Sequence, residues 1–369
     1  MIRCKISLLP LFVATLCVFV QGCKENTPIT PVTPAATGVI IVNEGQYQTD
    51  NASLSRYDDS TGTTVKDWFG SVNVGVKLGA TANDIVRKGD TAYVAVTDSR
   101  TIEVVQISTG KSLGRVNMGL LSTPSRPRKI TLMNDTLGCV STYMGNGVLF
   151  FNTRTYVMLG QVITGPATEG IASNGTNVFV ANSGLGDLAK DNPGAGTVSV
   201  VDISTRNVVA TLDVGVNVTE LVMNTDKSKL YAYFQHSYKK PDSLQGVVEY
   251  DANTFKELRR WRFKSMGNMR FYNNDVYVFN VSGFSSTKIL KINLQNGSGI
   301  TDYHSIEPAI LSPYGFSFNP TNGNLYITDA KDYVSNGEVR IYNKSDSTLN
   351  GKFVKTLTVG VNPKSMLFY

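Results

Sequence analysis

The chain carries little that could do covalent chemistry. Its 369 residues include two histidines, His236 and His304. His236 lies in a polar stretch that reads as a loop, where an imidazole can ligate a metal or act as a base, though a lone loop histidine more often does neither. His304 falls in an alternating stretch and reads as a packed or solvated strand residue. Three carboxylates, Asp84, Glu169 and Glu220, precede similar apolar runs. Gathered together they could perform acid–base work or hold a cation; a local turn contact is the plainer alternative. No Gly-x-Ser-x-Gly, His-Glu-x-x-His or phosphate-binding glycine loop occurs. The reading is therefore a binding protein, not an enzyme, with no catalytic residue, metal or cofactor assigned. Aromatics and amides are plentiful instead. Tyr47, Tyr143, Phe234, Tyr238, Phe284, Tyr314 and Tyr333 fall in loop-like stretches, beside Gln46, Arg100, Arg126, Asn182, Gln235, His236, Asn268 and Asp332. Flat apolar faces with a polar rim suit a large amphipathic ligand; the competing account is that several of these side chains pack loops or a channel mouth.

A repeat must position them. One unit runs from Pro166 through Asn177-Val-Phe-Val-Ala and Thr197-Val-Ser-Val-Val-Asp-Ile to Asn207-Val-Val-Ala-Thr-Leu-Asp-Val-Gly, four short alternating strands parted by turn residues. The third strand recurs near Leu54, Ile102, Val148, Val198, Val247, Ile289 and Val339, at intervals of 48, 46, 50, 49, 42 and 50 residues. Seven four-stranded units of that size predict an all-β fold, a seven-bladed β-propeller over 38–369. No sustained 3.6-residue period is present, which excludes an α-solenoid. The first unit lacks its innermost strand, and the C-terminus ends in an extra one. Val359-Gly-Val-Asn-Pro-Lys-Ser-Met-Leu-Phe-Tyr369 matches Val214-Gly-Val-Asn-Val-Thr-Glu-Leu-Val-Met, so the final strand is expected to complete the first blade and close the ring. Within each blade the first and third hairpins are short, as in Lys88-Gly-Asp and Ser173-Asn-Gly. The second connection and the link to the next blade are long and uneven, and the aromatics fall there. That face is the expected site.

The N-terminus sets the compartment. Arg3 and Lys5 precede an apolar run from Ile6 to Val20, the layout of a secretory signal, so residues 1–22 are read as a leader. Val20-Gln21-Gly22-Cys23 resembles the lipobox of bacterial lipoproteins, which implies lipidation at Cys23. Without the leader the net charge falls from +6 to +4, too small over this length to argue for nucleic acid. Cys139 is then the one free cysteine, which rules out a disulfide framework. Residues 23–37, rich in Pro and Thr, read as an extended tether. Lys24-Glu25 resembles the charged tag that sends Bacteroidetes lipoproteins to the cell surface. Asp59-Ser60-Thr61, Asp90-Thr91-Ala92, Asp135-Thr136-Leu137, Asp242-Ser243-Leu244 and Asp346-Ser347-Thr348 resemble the O-glycosylation acceptor of that phylum.

The units resemble the YncE-like, YVTN-type propellers, most clearly at Thr197-Val-Ser-Val-Val-Asp-Ile-Ser-Thr and Asn207-Val-Val-Ala-Thr-Leu-Asp-Val-Gly. With the lipobox and the Lys-Glu tag, the layout is similar to the BtuG-type surface lipoproteins of Bacteroidetes. That resemblance implies an outer-membrane, surface-exposed protein that captures vitamin B12 (cobalamin) and passes it to a TonB-dependent transporter. An accessory lipoprotein for glycan or peptide uptake is the leading alternative. A propeller lyase or hydrolase using the acidic residues is a third.

Overall fold

The computed structural model describes residues 37–121, 125–185, 191–236, 245–263, 268–282, 286–295, 299–306, 309–343 and 351–369. The leader, Cys23 and the tether up to residue 36 lie outside the described residues, as do Tyr238 and Phe284.

Seven four-stranded antiparallel sheets form a ring, a seven-bladed β-propeller. The strands lining the axis are Ala82–Lys88, Pro127–Leu132, Thr168–Ser173, Val218–Met223, Met269–Tyr272, Pro313–Phe318 and Pro363–Phe368. The last of these belongs to the first blade. It pairs with Gly38–Asn43 in the register Val39↔Phe368, Ile40↔Leu367 and Ile41↔Met366, and Tyr369 N donates to the Gly38 carbonyl at 3.1 Å. The ring closes through hydrogen bonds between the two ends of the fold, as the orphan segment requires.

Period-two alternation explains how the blades adhere. Successive strand residues point to opposite faces, and each face meets a different neighbour. In Gly38–Asn43, Ile40 and Val42 pack with Val94 and Val96 of the following blade. Val39 and Ile41 pack with Val339, Ile341, Leu357 and Val359 of the preceding one. All four are fully buried, each contributing about 1.5–3 kcal/mol of apolar burial. The first blade is irregular: its outer strand shrinks to Thr63–Val65 and a short helix, Trp68–Val72, follows. Asp67 caps that helix through Gly70 N at 2.9 Å, and Trp68 and Phe69 fill the seam to the second blade.

Along the axis the inner strands approach so closely that some positions admit no side chain. A Cβ on Gly315 would lie 2.3 Å from the Lys364 carbonyl oxygen, and one on Gly170 would lie 2.8 Å from Leu221 N. Near the loop face the inner strands are bulged. Register shifts fall between Ala82 and Asp84, Pro127 and Ile130, Thr168 and Ile171, Val218 and Glu220, and Pro313 and Gly315. In the last inner strand, Lys364 is the residue passed over between Pro363 and Ser365. A bulge leaves its extra residue out of the ladder and re-aims its side chain. Here the re-aimed residues end up around the mouth of the channel.

Candidate functional site

The bulged residues build an ionic floor. Arg128 makes a two-pronged bond to Glu169, Nε to Oε2 at 2.8 Å and Nη2 to Oε1 at 3.1 Å, and reaches Asn83 Oδ1 at 3.2 Å through Nη1. Lys364 Nζ donates to Asn83 Oδ1 at 2.8 Å and to Glu44 Oε1 at 3.2 Å. The other oxygen of Glu44 accepts the Tyr314 hydroxyl. One layer deeper, Lys129 Nζ lies 3.5 Å from Asp84 and 3.9 Å from Glu220, and Glu220 lies 3.8 Å from Arg270. Lys129 and Glu220 border both the cavity above them and a smaller one below. They divide the channel.

The charges support one another against desolvation. Burial disfavours the Arg128 guanidinium, but Glu169, Glu44 and Tyr143 together more than offset it and hold the group charged above its usual range. Burial likewise opposes the charge on Lys129, and Glu220 and Asp84 more than offset it. Burial would push the Glu44 carboxyl up, yet Lys364 and the Tyr314 hydroxyl hold it below the usual carboxylate range. Lys364 is also lowered: burial dominates, and Arg128 and Lys129 add to it against the pull of Glu44. The two partners shift the same way because Glu44 gains two donors while Lys364 stands among other cations.

Above this floor opens a cavity of about 580 Å³. Tyr47, Tyr143 and Leu185 border it, with Asn217, Thr219 and Gln235 along one side. The Arg128 guanidinium lies 5.2 Å from the centre of the Tyr143 ring, within cation–π reach. Arg126 stands at the rim, bonded to Asp98 at 2.9 Å.

Of the residues singled out in the sequence, Tyr47, Arg126, Tyr143, Gln235 and Asn268 line this cavity. Tyr314 lies behind the floor, its ring 5.4 Å from Lys364 Nζ and 5.8 Å from the Tyr333 ring. Gln46, Asp332 and Tyr333 stay on surface loops: Gln46 bonds Asn51, and Asp332 accepts from Val334 N and Ser335 N. Four others make framework contacts outside the cavity lining. Asn182 is buried and donates to Thr197 and Ser199. Phe234 belongs to the core between blades. Buried His236 presents Nδ1 to Gln245 Nε2 at 2.8 Å, so it acts as an acceptor within the fold. Arg100 has a left-handed backbone and donates to the Gly119 carbonyl. Asp84, Glu169 and Glu220 do gather at the axis, but cations neutralise them there. Among the described residues no group of three or more His, Cys, Asp or Glu is placed to hold a metal ion.

Glu44, Asn83, Arg128 and Lys364 also line the cavity and do not stand out in the sequence as loop aromatics or amides. A signal existed in the repeat: matching Val214–Met223 to Val359–Phe368 sets Thr219 against Lys364, and both line the cavity.

Residues 37–362 match a family described as a domain of unknown function, DUF5074. The chain belongs to this family. No curated protein matches the sequence. The DUF5074 propeller is similar in structure to a candidate 6-phosphogluconolactonase from Bacteroides fragilis, at 12% identity and TM-score 0.63 over 91% of this chain and 99% of that one. It also resembles a quinonprotein alcohol dehydrogenase-like protein from Bacteroides thetaiotaomicron, at 17% identity and TM-score 0.61 over 90% and 78% of the two chains. A third similar structure is the hydrazine synthase of Kuenenia stuttgartiensis, at 15% identity and TM-score 0.62 over 76% and 87%. At such identities the likeness of this DUF5074 member to these proteins concerns the fold alone.

Proposed function

We propose that this DUF5074 propeller is a ligand-capture protein that holds a large amphipathic small molecule over its loop face without turning it over. The observation that carries this reading is the cavity of about 580 Å³, with tyrosines above and a charge-compensated floor below. A carboxylate whose ionised form is held by neighbouring donors is a weak base and has no proton to give. Both oxygens of Glu44 and of Glu169 already accept from neighbours. What the floor offers instead is a fixed set of dipoles and charges for recognition.

A corrinoid is the ligand favoured by the sequence resemblance. It is larger than the cavity, so it would lie across the mouth, with Tyr47 and Tyr143 against its apolar face and Asn217, Gln235 and Asn268 near its amides. In this proposal Cys23 anchors the protein to the outer membrane at the cell surface, and the ligand passes to a TonB-dependent transporter. The test is to mix the full chain in detergent with cyanocobalamin and desalt it. Red protein is expected, with affinity reduced about fivefold or more by Tyr47→Ala or Tyr143→Ala through lost aromatic contact. Colourless protein at micromolar concentration removes the corrinoid. Glycan and peptide panels then take its place.

A further inference from the structure

The cavity has an imbalance that its net charge conceals. In the ion pairs that line it the cation is the more exposed partner: Arg126 at 28% against 8% for Asp98, Arg128 at 22% against 14% for Glu169, and Lys364 at 21% against 11% for Glu44. Glu44 accepts from Lys364 and Tyr314, and both oxygens of Glu169 accept from Arg128. Asp98 accepts from Arg126 on one oxygen and from Thr81 on the other. The Asn83 amide oxygen is shared by Arg128 and Lys364. The cationic side carries surplus hydrogens. A guanidinium has five N–H donors and an ammonium three. Arg126 pairs with Asp98 through Nη1 and borders the cavity, and among the described residues no partner is seen for its Nε or Nη2. Arg128 and Lys364 make three and two bonds respectively, so each keeps donors in reserve. An anionic ligand entering the cavity therefore meets the cations of these pairs before their carboxylates.

We infer that the cavity seats its ligand through an anionic group, a carboxylate or a phosphate, held by Arg126 at the rim with Arg128 and Lys364 beneath. The inference rests on the capture reading and names the chemistry at the inner end of the ligand. Arg126 is the selective element, because its planar fork matches two oxygens of such a group and only one of its prongs is claimed among the described residues.

The test uses the full chain in detergent, titrated with inorganic phosphate, succinate and putrescine at constant ionic strength, and followed by calorimetry and thermal shift. Saturable binding of phosphate or succinate is expected, with no binding of putrescine; which anion binds more tightly identifies the group. Arg126→Gln should weaken that binding about tenfold, the worth of a charge-assisted hydrogen bond. Asp98→Asn combined with Arg126→Gln leaves no unpaired charge and should show the same loss in a folded protein. Saturable putrescine binding, absence of binding by both anions, or unchanged anion affinity in both variants overturns the inference. Cyanocobalamin is run beside them. If an anion binds and the corrinoid does not, the corrinoid reading fails and the anion site stands. If the corrinoid binds while anions neither bind nor compete, the anion site fails and capture stands.

Discussion

Burial of His304 makes the propeller lose stability as the pH falls below about 6.5. His304 lies in the outer strand Ile300–Ser305 at 2% exposure, its ring 4.5 Å from that of Tyr342 and its Nε2 without a partner. Burial lowers its pKa from 6.5 to about 4. The folded protein therefore binds the proton more weakly than the unfolded chain does, and stability must fall as pH drops from about 6.5 towards 4. The full shift corresponds to about 3 kcal/mol, of which about 2 kcal/mol is lost between pH 7 and pH 5. With a urea m-value of about 3 kcal/mol/M, that moves the midpoint by roughly 0.6 M. His304→Leu keeps an apolar side chain of similar size and removes the titrating group. The measurement is urea unfolding of both proteins at pH 7 and pH 5. The wild type should lose about 2 kcal/mol more than the variant over that interval. Equal losses would show that His304 is solvated or paired in solution, and the burial argument would be wrong.

Two further expectations concern stability. Deleting residues 361–369 removes the inner strand of the first blade and exposes the edge of Gly38–Asn43; unfolding or aggregation is expected, and an unchanged melting temperature would refute closure by this strand. Glu169→Ala strands Arg128 in the channel and should cost about 3 kcal/mol in urea unfolding, whereas Glu169→Leu with Arg128→Met should recover most of it; equal costs would mean that the pair is solvated.

How much of this was legible beforehand follows from which forces are local. A strand buried between two neighbours must be apolar on alternate residues toward each, so the seven repeats show in the order of Val, Ile, Asn and Gly alone. The missing first strand and the surplus last one gave the closure for the same reason. The helix Trp68–Val72 was not legible: five residues have too short a period to register, and what holds them is the seam that Trp68 and Phe69 fill. The loop face was legible from loop lengths. Which loop residues turn inward was not, since Asn182, Phe234 and His236 look the same in sequence whether they meet a ligand or a neighbouring strand.

The sequence by itself determined the number of blades, their strand order and the closing strand, because those depend on period-two burial and turn residues within each unit. Only the tertiary structure decided the composition of the cavity. Glu44, Asn83, Arg128, Glu169 and Lys364 come from four different blades, Glu44 and Lys364 sharing the first. They meet because inner-strand bulges aim Asn83, Arg128, Glu169 and Lys364 at one axis, where Glu44 joins them from the end of Gly38–Asn43, and their charges are tolerable only in that company. Electrostatic pairing across the ring is a property of the closed propeller, and no single repeat contains it.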